Sequence, residues 1–228
     1  MSERNKTYNR RQFLEFAAVG AAGALVLDPS ALLAQTPKRG GTLIVGAGFL
    51  MQTPDPHRYI GMWGRQCTAP CWEGLTTLIP VTERLKILEE QGPDADVPSV
   101  QPMLADSWDI ENGGKRYVFH LKKGVKFHNG KELDSEDVKW NWERIKDPHN
   151  ITGARKFLTH FLELIETPDP YTIVANLSNP YGGFLSANAW CYTPIMPKDS
   201  IPRGATWGLT PTFKPTTVAP PGTGPFKM

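Results

Sequence analysis

Between residues 103 and 146 the apolar positions change period. Trp108 and Ile110 alternate with polar neighbours ahead of Asn112-Gly113-Gly114, and Tyr117, Phe119 and Leu121 alternate after it. Alternation on both sides of an Asn-Gly turn predicts a β-hairpin. A second turn, His128-Asn129-Gly130, leads to Asp134-Ser135-Glu136-Asp137. Asp134 is placed to accept from the open amides of a first helical turn, and Glu136 and Asp137 complement the helix dipole. Val138, Trp142 and Ile145 then recur at helical spacing, with Glu136, Lys139, Glu143 and Lys146 on a neighbouring, solvated face. Pro148 closes the helix.

The same reading extends outwards. Thr42-Leu43-Ile44-Val45 predicts a short buried strand by its composition. Residues 62–78 read as a helix, and residues 80–102 as an excursion whose segment 89–98 is acidic and Pro-rich. Phe157, Leu158, Phe161, Leu162 and Ile165 recur at helical spacing, which predicts a helix over 157–165. Tyr171, Ile173, Ala175 and Leu177 alternate as in a strand, and a short segment over 184–189 follows. A hairpin followed by a helix fits many folds.

At the N-terminus a basic, polar start reaches Arg10-Arg11, and an apolar run over residues 16–27 precedes Asp28-Pro29-Ser30 and the small residue Ala34. That run falls short of the roughly 20 residues a membrane span needs, so residues 1–34 read as an export signal cleaved near Ala34. Arg10 and Arg11 followed by Gln12-Phe13-Leu14 resemble the twin-arginine signal, which exports folded proteins. Asn9 and Glu15 depart from its usual residues, and Leu32 stands where cleavage prefers a small side chain.

Composition narrows the function. The 25 basic and 23 acidic residues nearly balance, which leaves no electrostatic footprint for nucleic acid or an anionic membrane. The 21 prolines and 21 glycines accompany seven Trp and ten Phe, a loop-rich globular surface rather than disorder.

Candidate chemistry is sparse. Gly46-Ala47-Gly48 suggests a dinucleotide loop, but Met51 stands where the third glycine belongs and Pro54 and Pro56 break the required helix. Cys67 and Cys71 lie one helical turn apart, a poor geometry for a disulfide, and no neighbouring His or Cys completes a metal set. With Cys191 the count is odd, so buried free thiols are expected. His120 and His128 read as structural or surface residues, and Lys122, Lys123 and Lys126 as a solvated patch. No nucleophile motif, phosphate loop or zinc signature is present, so neither catalysis nor a cofactor or metal is expected.

The ordered strings Leu104-Ala105-Asp106-Ser107-Trp108, Tyr117-Val118-Phe119-His120-Leu121, Lys123-Gly124-Val125-Lys126-Phe127-His128-Asn129-Gly130 and Ser135-Glu136-Asp137-Val138 resemble the signature region of the family 5 solute-binding proteins. Gly40-Gly41-Thr42-Leu43 followed by Asp55-Pro56-His57 is similar to the family's first strand and the loop at the mouth of its ligand cleft, and Trp72-Glu73-Gly74-Leu75 and Gly222-Thr223-Gly224-Pro225-Phe226-Lys227 are similar to further segments of it. The resemblance implies an α/β fold, periplasmic-binding-protein-like of type II, with residues 35–228 forming only the N-terminal part of lobe one and the second lobe absent. It implies a receptor that captures a peptide or similar small solute in the periplasm and delivers it to an inner-membrane ABC permease, monomeric at full length. Phe49 and Met51, near the cleft loop, and Trp72, Trp190 and Tyr192 become candidate ligand contacts, with core packing the alternative for Phe49, Met51, Trp190 and Tyr192. An exported enzyme and a sensor domain on the same fold are the rival functions.

Overall fold

A computed structural model describes residues 55–57, 69–147, 159–189, 192–201 and 219–227. The strand expected at 42–45 and the signal at 1–34 lie outside them, as do Phe49, Met51, Cys67, Pro148, Trp190 and Cys191.

The hairpin is present. Strand β3 (Ala105–Glu111) follows two short strands, β1 (Thr76–Leu78) and β2 (Val100–Pro102), and pairs antiparallel with β4 (Arg116–Leu121). Trp108 faces Phe119 and Ile110 faces Tyr117 across the pair. The connecting turn puts Asn112, Gly113 and Gly114 at φ 51°, 63° and 84°. Glycine and asparagine tolerate that left-handed region best, which is why this loop takes them.

Two further strands, β5 (Leu162–Asp169) and β6 (Thr172–Leu177), complete an antiparallel sheet in the order β3-β4-β6-β5. Tyr117, Phe119 and Leu121 of β4 and Ile173, Ala175 and Leu177 of β6 are buried on one face. Helix α2 (Ser135–Lys146) lies across β5 and β6 and seals this face with Val138, Trp142 and Ile145. Between the β1–β2 pair runs helix α1 (Val81–Gln91), and α3 (Phe184–Ala187) is a single turn that places Phe184 in the core. Phe119, Trp142 and Phe184 meet with ring centroids 6.0–6.2 Å apart and planes tilted by 53–65°, so β4, α2 and α3 share one aromatic cluster.

Three expectations are corrected. Thr76–Leu78 is a strand rather than the end of a helix, because Thr76 and Leu78 find partners in Pro102 and Val100. The excursion over 80–102 contains α1, whose Gly92 at φ 97° returns its N–H to Leu88 O at 3.0 Å, an ordinary helix stop. Of the helix expected over 157–165, Phe157 and Leu158 lie outside the described residues, and Leu162 and Ile165 belong to β5. The pairing with β6 shifts between Leu162 and Leu164, so Leu162 and Ile165 both face the core although three residues apart. A bulge imitates helical spacing in this way.

Candidate functional site

Helix α2 begins with a reciprocal capping box. Asp134 accepts the Asp137 N–H at 3.0 Å, and the Asp137 carboxylate accepts the Asp134 N–H at 3.1 Å. The cap expected of Asp134 is therefore formed, and Asp137 does more than complement the dipole. Its buried carboxylate also accepts the Lys198 N–H at 2.7 Å and the Lys131 ammonium.

Asp137, Asn141 and Arg144 form a buried polar stripe along the helix. Asn141 spans both backbone groups of Met196: Nδ2 donates to the carbonyl at 2.7 Å and Oδ1 accepts the N–H at 3.2 Å. Arg144 forks onto Asp55, with Nη2 to Oδ2 at 2.6 Å and Nη1 to Oδ1 at 3.2 Å. Nη1 also donates to His57 Nδ1 at 2.8 Å, which leaves the His57 proton on Nε2, donated to Pro194 O at 2.8 Å. The His57 N–H closes the loop on Asp55 Oδ1 at 3.0 Å. Two distant segments, residues 55–57 and 193–196, are thus seated on one helix. Both ring nitrogens of His57 are engaged, so the cluster is built to hold geometry rather than to move protons.

Trp142 extends the same support. Its indole N–H donates to Asn188 Oδ1 at 2.9 Å, and Thr193 Oγ1 donates towards the same oxygen at 3.3 Å. Tyr192 stands half-buried at the head of the strap 193–196, its N–H on Ala189 O at 3.0 Å.

The segment 219–227 packs against Cys71 and Trp72. Trp72 is 1% exposed and gives its indole N–H to Pro220 O at 3.1 Å. Gly224 and Phe226 donate their N–H groups to Cys71 O and Pro70 O, at 3.1 and 3.2 Å. His128 grips the segment with its ring and its backbone. Nε2 donates to Gly224 O at 2.7 Å, Nδ1 accepts the Gly222 N–H at 3.3 Å, and the His128 N–H reaches Gly222 O at 2.8 Å. The backbones approach so closely that a Cβ on Gly222 would fall 1.9 Å from Cys71 O. Cys71 is a buried free thiol, and burial pushes it up from its ordinary value. Between Trp72, His128 and Pro220 a recess of about 190 Å³ remains, below the roughly 300 Å³ at which small-molecule pockets begin.

Several surface charges are paired. Glu136 is held below the usual carboxylate range by the Thr167 hydroxyl and by Lys198, which is raised in return. Glu132 is lowered by the Gly124 N–H and the Tyr171 hydroxyl, and the Tyr171 phenol is raised by Glu132. His120, on the face opposite Phe119, pairs with Asp109 at 3.0 Å beside an open basin of about 720 Å³. Among the described residues no cluster of His, Cys, Asp and Glu could hold a metal ion, and no helix is long and apolar enough to cross a membrane.

Of the candidate contacts, Trp72 and Tyr192 fall within the described residues, and they occupy different places. Trp72 lies beneath the 219–227 segment, and Tyr192 lies at the strap. Asp55, His57, Asn141 and Arg144 were not singled out as a site from the sequence. The available clue was the spacing of Asp137, Asn141 and Arg144, a polar stripe one step off the solvated face.

This architecture recurs in proteins of known structure. The chain aligns with AgaA of A. tumefaciens R10, solved with agropinic acid, at 30% identity and TM-score 0.59, covering 77% of this chain and 30% of that one. It aligns with AppA of Bacillus subtilis, solved with a nonapeptide, at 26% identity and TM-score 0.57, covering 71% and 29%. In sequence it is 33% identical over 146 residues to heme-binding protein A of Haemophilus influenzae, covering 56% of this chain and 26% of the relative. It is 30% identical over 145 residues to the dipeptide-binding protein of Escherichia coli K12, covering 57% and 26%. The chain thus spans about a quarter of the length of these curated relatives, as part of a periplasmic-binding-protein fold. The middle region defined for the bacterial extracellular solute-binding proteins of family 5 matches residues 99–228, more than half of the sequence, and the chain belongs to that family.

Proposed function

We propose that this chain is the N-terminal part of lobe one of an exported receptor that captures a peptide or similar small solute for an ABC importer. The family is one of solute-binding proteins rather than enzymes. The observation that carries the reading is the seating of residues 55–57 and 193–196 on α2. Such a scaffold suits a binding cleft, where a few rigidly held walls exclude water and orient the ligand. No catalytic step is needed for it.

The contacts we assign are Phe49 and Met51 ahead of the loop, and Trp190 and Tyr192 ahead of the strap. Trp72 is the fifth contact we assign; it lies buried beneath the 219–227 segment. Peptides and opines are both reasonable ligands, because the relatives and neighbours include a dipeptide-binding protein and a complex with agropinic acid. Delivery to an inner-membrane permease, and export through Arg10 and Arg11 with cleavage near Ala34, complete the proposal. We assign the full-length receptor as a monomer.

Equilibrium titration with dipeptides, tripeptides, glutathione, opines and nickel chelates tests it. One ligand class binding in a one-to-one complex, with no turnover, supports the receptor. Conversion of any of these compounds would favour the exported enzyme.

A further inference from the structure

A continuous buried chain of polar contacts runs from the loop at residues 55–57 to the strap at 193–196. Arg144 contacts both oxygens of Asp55 and Nδ1 of His57, and His57 passes its remaining N–H to Pro194 O. Asp55 and His57 are fully buried, and Arg144 nearly so. A guanidinium presents several N–H donors in one rigid plane, so it satisfies a carboxylate twice and an imidazole once without rearranging. A lysine ammonium keeps the charge but not the fork. The imidazole in turn works as a two-ended strut: its Nδ1 is fixed by Arg144, and this fixes where Nε2 points.

The strap also has anchors of its own. Ile195 donates to Glu73 O at 2.9 Å, and Met196 is bracketed by Asn141. Mere retention of the strap therefore needs no contact with His57. What that contact adds is a fixed spacing between strap and loop.

We propose that Arg144 is a positioning residue that couples the loop to the strap through His57, so that the two segments move as one unit. For solute binding this deepens the receptor reading, since Tyr192 heads the strap. The coupling itself needs no ligand.

Amide hydrogen exchange, followed by NMR on this chain, tests the proposal in Arg144→Lys, His57→Asn and the double variant. Asparagine keeps an acceptor near the Nδ1 position but cannot reach Pro194. In Arg144→Lys the amides of His57, Ile195 and Met196 should exchange about tenfold faster or more, while those of Leu121 and Leu177 in the sheet stay unchanged. In the His57→Asn background, adding Arg144→Lys should speed the loop amide and leave the strap as it was. Strap exchange unaltered in Arg144→Lys would overturn the coupling. So would equal acceleration with and without His57, or acceleration of Leu121 and Leu177 to the same degree, which marks a purely stabilising role. Because no ligand enters the measurement, a failure to bind any solute leaves its outcome standing.

Discussion

Asn141 treats Met196 as one β-strand treats another, donating to its carbonyl at 2.7 Å and accepting its N–H at 3.2 Å. Both residues are fully buried, so water cannot replace either bond. Replacing Asn141 with Leu should leave two unpaired backbone groups, at roughly 1–3 kcal/mol each. Asn141→Asp should recover the bond to the N–H alone. Urea unfolding of both variants gives the order, and a Leu variant as stable as the parent would show that the strap is held elsewhere.

The capping box makes a graded prediction. Asp134→Ala removes one amide acceptor and should cost about 0.5–2 kcal/mol. Asp137→Ala should cost more, because its carboxylate also serves Lys198 N–H and Lys131. Thermal melting reads both changes, and a silent Asp134→Ala would place the helix start at another residue.

Glu136 should leave a small mark on the acid side of the stability profile. Its folded-state value is lowered from 4.5, first by the Thr167 hydroxyl and then by Lys198. A lowered carboxylate stabilises the fold above its unfolded value, and that contribution fades as the pH falls through the folded value. The group is well exposed, so the effect should stay within about 1 kcal/mol. Wild type and Glu136→Gln should differ near pH 6 and converge as the pH drops below about 4.5 and on through the folded-state value. A difference that grows on acidification would contradict the pairing.

Gly222 and His128 hold the same stretch of backbone, one by letting it approach Cys71 and the other by gripping it from the far side. Gly222→Ala and His128→Ala should each destabilise the protein, and the double variant should cost less than the sum. Additive losses in a double-mutant cycle would mean that the two contacts act independently.

The parts of this fold legible in the sequence are those whose determinants are neighbours. The β3–β4 hairpin is written in its Asn-Gly-Gly turn, and the start of α2 in the residues Asp134 to Asp137. Strand β1 was not legible because its partner lies across the whole of α1, and β5 was not because its bulge gives Leu162 and Ile165 helical spacing. Helix α1 was not legible either, because it buries no residue and so shows no apolar face at helical spacing strong enough to stand out from the excursion around it. The Asp55–His57–Arg144 cluster joins residues 87 and 89 apart, and a charged helix residue ordinarily reads as solvated. Family resemblance marked the string Asp55-Pro56-His57, and the structure adds the buried Arg144 that pairs with it.

Calorimetric titration tests the receptor reading most directly. Residues 35–228 alone, and the same residues continued to the length of their relatives, would each be titrated with the panel of peptides, opines and nickel chelates. A ligand gripped between two lobes loses most of its contacts when one lobe is missing. The expected result is weak or undetectable heat for the short chain and one-to-one saturable binding of a single ligand class for the long one. Tight saturable binding by residues 35–228 alone, or none by the longer protein to any solute of the panel, would contradict the two-lobed receptor.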